Sequence, residues 1–467
     1  MAEPTTLPKR RPLPLRAKVA AARVAGAGSR ALGRGGTSLP GKLLLAMEPD
    51  AVGRLASELP LGTAVISATN GKTTTAAMAA SILENAGHRL VHNRTGANMA
   101  GGLAGALMAR ARDADLGLLE IDEFWLPGLV DQLEPRVVLL GNLFRDQLDR
   151  YGELETIAAR WQEMVDRHPE TMVILNADDP LVADLGRVRI APESVCFYGI
   201  EDTSVAREGL AHAADAKHCR RCGAPYRYDA VMLAHLGHYH CDACGAARPR
   251  PAVVAKDIEL RGLAGSALTI ETPAGSCRVE LPIPGLYNIY NALAAAALGV
   301  ALGARTEQIQ AGLTGVAPAF GRGESVSIGG QELLLLLVKN PAGANEVLRT
   351  LALEPGDHHL LAILNDQIAD GRDISWIWDA DYELLESHVG RAVCSGSRAA
   401  EMALRLKYAG VDPGRIVVVP DLEDALDTLL AGAPGRDGRL AAIPTYTAML
   451  ALREELVRRG AAEGSFS

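Results

Sequence analysis

Short apolar runs that end in polar residues recur between residues 60 and 180 of the chain. Four of these runs are predicted to be buried strands: Thr63–Ile66, Leu116–Ile121, Arg136–Leu140 and Thr171–Leu175. Stretches of helical length separate the runs, and strands that alternate with helices predict a parallel sheet. The carboxyl ends of such strands share one edge, which is the usual place for a binding site. The polar residues that follow each run should therefore lie together.

The first run leads into a polar turn that contains Gly71, and a helix is predicted to begin at Lys72. Such a turn directs backbone N–H groups and the positive end of the helix dipole at one point, which suits a phosphate. Lys72 would contact the β- and γ-phosphates of a nucleotide, and Thr73 would contact Mg²⁺. The pattern G-x-x-x-x-G-K-[ST] is incomplete, because Ile66 occupies the position of its first glycine. We predict an ATP and Mg²⁺ site at Thr69, Asn70, Gly71, Lys72, Thr73 and Thr74.

The second apolar run ends in acids: Glu120 is its last residue but one, and Asp122 and Glu123 follow it. Mg²⁺ needs only one or two carboxylates in addition to phosphate oxygens and water. Glu120 ends the strand directly, so we predict that it contacts the cation and, with Lys72, takes part in catalysis. Asp122 and Glu123 have two interpretations, as members of the same site or as solvated loop acids.

Four cysteines form two C-x₂-C pairs that are separated by eighteen residues: Cys219, Cys222, Cys241 and Cys244. Each pair places two thiolates on one tight turn, and two such turns complete a tetrahedral site for Zn²⁺. Since thiolates fill all four positions, the zinc should be structural; a redox pair is the alternative. Nearby histidines are not needed as ligands: His218, His235, His238 and His240. The isolated cysteines should be small buried residues: Cys196, Cys277 and Cys394.

Two amides, Asn288 and Asn291, lie three residues apart near the start of a predicted helix. An amide side chain both donates and accepts hydrogen bonds, as the edge of adenine requires. We predict that both residues contact adenine. Helix capping by Asn288 is the alternative.

Length, composition and charge narrow the function further. The 467 residues, 48% of them hydrophobic, predict two or three domains with ample core. No uninterrupted apolar run reaches the roughly 18 residues of a membrane span, and an apolar signal-peptide region is lacking. We predict a cytoplasmic protein, with peripheral attachment to the inner face of the plasma membrane as an open alternative. The net charge of −9 argues against general nucleic-acid binding.

The first 40 residues carry the opposite charge, because Lys and Arg greatly outnumber acids there. Such a segment has three interpretations: a basic tail that touches anionic lipid, a solvated tail, or a helix packed on the body. In a helix, the weak apolar side would consist of Ala20, Ala21, Val24 and Ala25.

The stretch T-N-G-K-T-T-T at residues 69–75 resembles the phosphate loop of the Mur ligase and folylpolyglutamate synthase superfamily. Other superfamily motifs have similar segments here: D-Q-L-D-R-Y at 146–151, G-x-x-N-x-x-N-x-x-A at 285–294 and F-G-R at 320–322. The resemblance implies a Mg²⁺ contact for Glu120 and adenine contacts for Asn288 and Asn291. It also implies that Arg322 reaches the nucleotide phosphates.

Two departures from the superfamily concern the placement of cations. Gln147 occupies the place of a metal-binding histidine, and Arg160 lies about where the superfamily has a carbamoylated lysine. Both departures indicate altered cation placement and count against an ordinary amino-acid-adding ligase. Lys339 and Asn340 are plausible nucleotide contacts, whereas the ribose-binding aspartate of the superfamily has no evident counterpart.

Three features narrow the resemblance: K-N-P-A-G from Lys339, N-D-x-x-A-D-G-R-D-x-S-W from Asn365, and the four-cysteine insertion. They occur together in the MurT family, the Mur-ligase-like subunits of lipid II isoglutaminyl synthases, which this chain resembles over roughly residues 35–450. The resemblance implies ATP-dependent amidation of the D-glutamate α-carboxyl in the lipid II stem peptide to D-isoglutamine, through an acyl phosphate. The cofactors would be ATP, Mg²⁺ and structural Zn²⁺.

The same resemblance implies a heterodimer with a GatD-like glutamine amidotransferase, which releases ammonia from glutamine. Asp373 would be catalytic there, as the acid that orients the partner's Cys–His pair. From the residues alone, Asp373 has a second interpretation, a turn with an internal Arg–Asp pair. The alternative enzyme is a single-chain Mur- or folylpolyglutamate-type amino-acid ligase, and a non-catalytic ATP-binding scaffold is a further possibility.

The predicted fold class is α/β, with a Mur-ligase-like P-loop central domain, a zinc-ribbon insertion and a smaller α/β C-terminal domain. The predicted domains are a basic segment at 1–40, an ATPase domain at 41–318 and a C-terminal domain at 319–467 that contacts the amidotransferase partner. The zinc ribbon should occupy residues 212–250 of the ATPase domain.

Overall fold

The computed structural model of the chain describes residues 14–31, 38–93, 97–145, 154–187, 192–207, 209–210, 214–316, 322–432 and 439–462. Its α-helices are α1 (Leu15–Ala31), α2 (Leu39–Met47), α3 (Ala51–Ala56), α4 (Lys72–Asn85), α5 (Ala100–Ala109), α6 (Leu126–Leu133), α7 (Leu154–Arg167), α8 (Pro180–Ala183), α9 (Leu286–Ala301), α10 (Thr306–Thr314), α11 (Pro341–Ala352), α12 (Ala399–Tyr408), α13 (Leu422–Ala431) and α14 (Tyr446–Arg458).

The strands within these described ranges fall into three sheets. Those of the central sheet are β1 (Thr63–Ser67), β2 (Leu90–His92), β3 (Leu116–Glu120), β4 (Val137–Leu140), β5 (Met172–Asn176), β6 (Val195–Ile200), β9 (Val253–Leu260), β10 (Ser266–Thr272) and β11 (Gly275–Leu281). A hairpin consists of β7 (Arg227–Leu233) and β8 (Leu236–His240). The C-terminal sheet consists of β12 (Arg322–Ile328), β13 (Gln331–Leu336), β14 (His358–Ile363), β15 (Val389–Ser395), β16 (Ile416–Val418) and β17 (Arg439–Pro444).

The central sheet has the strand order β11-β10-β9-β6-β5-β4-β1-β3-β2. The strands from β9 to β2 in this order pair in parallel, whereas β9, β10 and β11 pair antiparallel. The four apolar runs of the sequence form β1, β3, β4 and β5, which confirms the predicted parallel sheet. Because β4, β1 and β3 are neighbours, the polar residues after them lie side by side at one edge.

Helices cover both faces of this sheet, which explains why its central strands are buried along their length. One core contains apolar residues of α4, α9 and α10. The other contains residues of α2, α3, α5, α6 and α7. The phosphate-loop helix α4 packs on α9 and α10, so its N-terminus is held between the sheet and the later part of the domain.

The N-terminal segment forms helix α1, which packs on α2 and thus on the body of the protein. The apolar side predicted for this helix is wrong. Ala20, Ala21, Val24 and Ala25 are exposed, whereas Leu15, Ala22 and Gly26 are buried. Lys18 reinforces the packing, because its Nζ donates to O of Met47 at 2.7 Å and to Oε2 of Glu48 at 2.9 Å.

The C-terminal sheet has the order β12-β13-β17-β14-β15-β16, parallel except for β12 with β13. This second α/β unit agrees with the predicted fold class. The exact domain boundaries stay predictions. No helix within the described residues is long and apolar enough to cross a membrane.

Candidate functional site

The phosphate loop lies between β1 and α4, as the sequence predicts. Gly71 adopts a left-handed conformation with φ of +85°, directly before α4 begins at Lys72. A Cβ atom at this position would collide with Oδ1 of Asn291, so the turn needs glycine for both its conformation and its space. Thr69 and Thr74 are buried beside it. The loop presents the N-terminus of a 14-residue helix to the carboxyl edge of the sheet.

Lys72 forms a buried ion pair with Glu123, with 2.8 Å between Nζ and Oε2. Its Nζ also donates to the carbonyl oxygens of Ala68 and Thr69. Burial by itself lowers the pKa of Lys72, but the adjacent Glu123 carboxylate raises that pKa above its ordinary value. Burial likewise opposes ionisation of Glu123, yet Lys72 lowers the pKa of this carboxyl. Both groups are therefore charged at neutral pH.

The acids after β3 are buried, so the interpretation of Asp122 and Glu123 as solvated loop acids is wrong. Glu120 is 2% exposed, and its Oε1 accepts a hydrogen bond from Nδ2 of Asn98 at 3.2 Å. Among the described residues, no donor reaches its other oxygen, Oε2. A buried carboxylate oxygen without a hydrogen bond is costly, and a bound cation would remove that cost.

The sequence did not reveal two amides that position Glu120. Asn93 accepts a hydrogen bond from the main-chain N of Glu120 at 2.9 Å and donates to its main-chain O at 2.8 Å. Asn98 contacts the carboxylate directly. Both amides follow β2, which pairs with β3. Their position after a parallel strand is the feature of the sequence that could have identified them as members of the site.

The segment after β4 contacts the phosphate loop. Asn142 and Asn70 exchange two hydrogen bonds, and N of Phe144 donates to Oγ1 of Thr69 at 3.1 Å. The D-Q-L-D-R-Y motif with Gln147 lies outside the described residues. Arg160, on α7, stacks its guanidinium 4.3 Å from the centre of the Phe124 ring.

Asn288 and Asn291 are buried on α9 beside the phosphate loop. Oδ1 of Asn291 accepts a hydrogen bond from Oγ1 of Thr75 at 3.1 Å, and its Nδ2 donates to Oδ1 of Asn288 at 2.9 Å. Helix capping by Asn288 is wrong, because the residue before the helix is Gly285 and the Asn288 amide donates back to O of Pro284. The predicted adenine contacts stay a prediction.

The segment between β13 and α11 contributes residues to the same place. Nζ of Lys339 donates to O of Thr69 at 3.2 Å. The side chains of Asn340 and Asn70 exchange two hydrogen bonds of 3.0 and 3.3 Å. Asn340 also caps α11, since its Oδ1 accepts from N of Gly343. Arg322 is the first residue of β12, and its side chain lies outside the described part of the structure.

The four cysteines of the two C-x₂-C pairs come together, with their sulfur atoms within 4.8 Å of one another. Sγ of Cys219 lies 3.6 Å from Sγ of Cys244, and Sγ of Cys222 lies 3.5 Å from Sγ of Cys241. A tetrahedral zinc site with Zn–S bonds of about 2.3 Å places its sulfurs about 3.8 Å apart, so this cluster fits Zn²⁺. The hairpin β7–β8 connects the two pairs.

Asp373 and the isolated cysteines lie elsewhere. Asp373 is exposed, and its Oδ1 accepts a hydrogen bond from N of Ser375 at 2.8 Å. Hydrogen bonds from the Ser375 side chain and from this main-chain N lower the pKa of the carboxyl. Cys394 is fully buried in β15, and burial raises the pKa of its thiol to about 12. Cys196 and Cys277 are half-buried rather than buried as predicted.

Comparison with known proteins places the chain in a family. Residues 66–299 match the Mur ligase middle domain, and residues 337–449 match the MurT ligase C-terminal domain. The lipid II isoglutaminyl synthase (glutamine-hydrolyzing) subunit MurT of Streptococcus pneumoniae is 35% identical over 92% of this chain and 94% of that protein. The chain belongs to the MurT family.

Solved structures agree on the fold. A pseudomurein peptide ligase type C from Methanothermus fervidus superposes with a TM-score of 0.68 at 24% identity, covering 87% of this chain and 80% of that one. Mycobacterium tuberculosis folylpolyglutamate synthase complexed with ADP gives a TM-score of 0.61 at 17% identity, covering 97% and 100%. The Mur ligase fold predicted from the sequence is confirmed.

Proposed function

We propose that this MurT-family chain is the synthetase subunit of a lipid II isoglutaminyl synthase. It uses Mg-ATP to phosphorylate the α-carboxyl of D-glutamate in the lipid II stem peptide, and ammonia then replaces the phosphate to give D-isoglutamine. The observation that carries the proposal is the constellation of Lys72, Glu123 and Glu120 at one sheet edge, in a chain of this family.

The residues around the phosphate loop fit an ATP-dependent carboxylate activation. Lys72 is charged, buried and located at the N-terminus of α4, where it stabilises negative charge on a transferring phosphoryl group. Glu120 and the Thr73 hydroxyl would hold Mg²⁺, since Oε2 of Glu120 is a buried oxygen in need of a partner. Mg²⁺ when bound would neutralise charge on the phosphate oxygens.

The reaction follows from these positions. A carboxylate oxygen of the substrate attacks the γ-phosphorus, the bond to the β-phosphate oxygen breaks, and ADP leaves. Ammonia then attacks the acyl carbon, the carbon–oxygen bond to phosphate breaks, and a proton is lost as the amide forms. Lys339 and Asn340 connect the phosphate loop to the C-terminal sheet, and their contacts favour a site shielded from water during the acyl-phosphate stage.

The source of ammonia is proposed to be a GatD-like glutaminase bound to the C-terminal part of the chain. The three cysteines outside the metal cluster include no exposed thiol that would serve as a glutaminase nucleophile. Asp373 is exposed, and the same stretch of chain exposes Ile368 and Trp378, which are 68% and 49% exposed. Exposed apolar side chains on a segment that also carries an exposed carboxylate suit a partner whose Cys–His pair lacks an acid. The name of the pneumococcal relative, a subunit of a glutamine-hydrolyzing enzyme, supports a partner.

The four-cysteine cluster is proposed to hold structural Zn²⁺. All four ligand positions would be filled by thiolates, so the ion would have no open position for substrate. The bound ion would have a structural role, because its thiolate ligands would hold the two ends of the β7–β8 hairpin together.

Mass spectrometry of lipid II tests the function. Lipid II is incubated with the chain and Mg-ATP, with glutamine or ammonium, and with or without the partner subunit. We expect the mass change that accompanies conversion of a carboxyl group to an amide. The change should require ATP, and it should also require the partner when glutamine is the nitrogen source. Lys72→Ala should lower this rate about 100-fold or more. Addition of an amino-acid residue without the partner would instead indicate a single-chain ligase.

A further inference from the structure

The phosphate loop is held on one side by the segment 142–145. Oδ1 of Asn142 accepts from N of Asn70 at 2.9 Å, and its Nδ2 donates to O of Asn70 at 3.0 Å. N of Thr69 donates to O of Asn142 at 2.9 Å, and Oγ1 of Thr69 accepts from N of Phe144. Because these bonds involve the main chain on both sides of the Thr69–Asn70 peptide, the position of the segment determines the shape of the loop.

This segment is held in turn by the tip of the hairpin β7–β8. His235, at the tip, is fully buried, and its ring centre lies 4.8 Å from that of Phe144. Nε2 of His235 lies 3.5 Å from Oδ1 of Asp179, whose Oδ2 accepts from N of Leu143 at 2.9 Å. Among the described residues, neither ring nitrogen makes a hydrogen bond. The imidazole therefore meets the segment through the packing of its ring on Phe144, beside the Asp179 carboxylate that holds Leu143.

A second connection starts just before the first cysteine pair. Asp215 accepts a hydrogen bond from N of Arg145 at 3.1 Å and pairs with the Arg145 guanidinium. The hydroxyl of Tyr228 lies 2.9 Å from O of Ala216 and 3.0 Å from O of His235. These two carbonyl oxygens share its single proton, so Tyr228 contacts both connections.

The contacts of His235, Asp215 and Tyr228 continue to the cysteine cluster. Tyr226 and Tyr239 pack with the buried Cys219 and Cys241 in one small core, and Tyr228 packs against it. A continuous set of contacts therefore runs from the metal cluster to the phosphate loop.

We propose that the cysteine-cluster hairpin positions the phosphate loop, with His235 and Asp215 as positioning residues that act through segment 142–145. Removal of the metal or of the His235 ring would leave Thr69 and Asn70 without their support and weaken nucleotide binding. The inference needs nucleotide binding at the loop but does not depend on which amide is made.

The test compares His235→Ala with His240→Ala in the full chain. His240 belongs to the same hairpin but is half-exposed and pairs with Asp229 and Asp242 instead. Binding of a non-hydrolysable ATP analogue with Mg²⁺ is measured by calorimetry, together with zinc content. We expect about tenfold weaker binding for His235→Ala, and unchanged binding for His240→Ala, at equal zinc content. His235→Phe, which keeps a ring against Phe144, should recover most of the affinity.

Hydrogen exchange of the nucleotide-free protein provides an independent readout. Amides of residues 69–75 should exchange faster in His235→Ala than in wild type or His240→Ala. Zinc chelation should accelerate the exchange of these amides in wild type. It should cause little further acceleration in His235→Ala, because that variant already lacks the same connection. If His235→Ala does not fold, the same binding and exchange measurements are made on Asp215→Asn and on wild type after zinc chelation. Unchanged affinity and exchange in His235→Ala, or equal effects in His240→Ala, would overturn the proposal.

Lys72→Ala separates this inference from the proposed function. If that variant binds the analogue as tightly as wild type, the nucleotide site lies elsewhere and the proposed function fails. The hydrogen-exchange comparison needs no nucleotide and still decides whether the hairpin supports the loop.

Discussion

Nζ of Lys72 and Oε2 of Glu123 lie 2.8 Å apart in a buried ion pair that joins the phosphate loop to the end of β3. Both side chains are about nine-tenths buried. An uncompensated charge in such a place is costly, so each partner keeps the other ionised. The pair holds Lys72 charged at the loop before a nucleotide arrives.

Substitution of Glu123 should change the pH dependence of stability. Lys72 lowers the pKa of Glu123 from its ordinary 4.5, so the stabilising effect of this carboxylate is present above pH 4.5 and is lost as the pH falls through the folded-state pKa. Glu123→Gln should lower the free energy of unfolding at pH 7 by about 3 kcal/mol. Urea unfolding should show that this deficit narrows below pH 4.5.

Glu170→Gln, at an exposed position, is the matched control and should differ little from wild type at either pH. A Glu123→Gln deficit of equal size at both pH values would show that the carboxylate charge does not produce it.

Comparison of Gly71→Ala with Gly87→Ala should separate two costs of adding a Cβ atom, the strain of a positive φ and the steric collision with a neighbour. Both glycines have positive φ, +85° and +95°, but a Cβ at Gly87 meets nothing within 4 Å, whereas at Gly71 it meets the Asn291 amide. Gly87→Ala should cost only the strain of about 1–2 kcal/mol. Gly71→Ala should cost more and also weaken binding of an ATP analogue. Urea unfolding and calorimetry measure both effects, and equal losses of stability and affinity in the two variants would contradict this account.

Loss of the metal cluster should destabilise the chain. Cys241 is buried in the cluster, so Cys241→Ser should abolish zinc binding, measured by elemental analysis. We expect a fall in Tm of about 5 °C or more. Cys277→Ser, outside the cluster in β11, should retain the metal and lose much less stability. A full zinc content in Cys241→Ser would refute the assignment.

Asp373→Asn should impair the partner without affecting the nucleotide site. Loss of the orienting carboxylate should lower glutaminase activity of the complex about 100-fold or more, while ammonium-driven amidation continues. Asp379→Asn, exposed on the same surface segment, is the control and should leave both activities intact. An active glutaminase with Asp373→Asn would mean that the partner supplies its own acid.

Local spacing in the sequence predicted much of the molecule. The strand-turn-helix at Gly71 and Lys72 and the two C-x₂-C pairs are determined by neighbours within a few residues, where turn and helix geometry leave few alternatives. The alternation of apolar runs likewise predicted the parallel sheet, because burial on both faces requires such runs. Glu120 was recognisable because it ends one of them.

The prediction for α1 failed for an instructive reason. Its candidate apolar face consisted mainly of alanines, which gain little free energy from burial, so the pattern could not choose a side. The close approach of Gly26 to Pro40 and the burial of Leu15 and Ala22 depend on where α2 lies. Packing against a neighbour decided which face is inside.

The sequence by itself determined the phosphate loop, the four-cysteine cluster and the fold class, since each follows from the short-range spacing of residues. Only the tertiary structure decided which distant groups meet there. Glu123 pairs with Lys72 across 51 positions, Asn340 meets Asn70 across 270, and His235 inserts beneath the segment that holds the loop. Such contacts follow from strand order and domain packing. The residues next to a polar side chain in the sequence do not indicate which distant group it will contact in the folded chain.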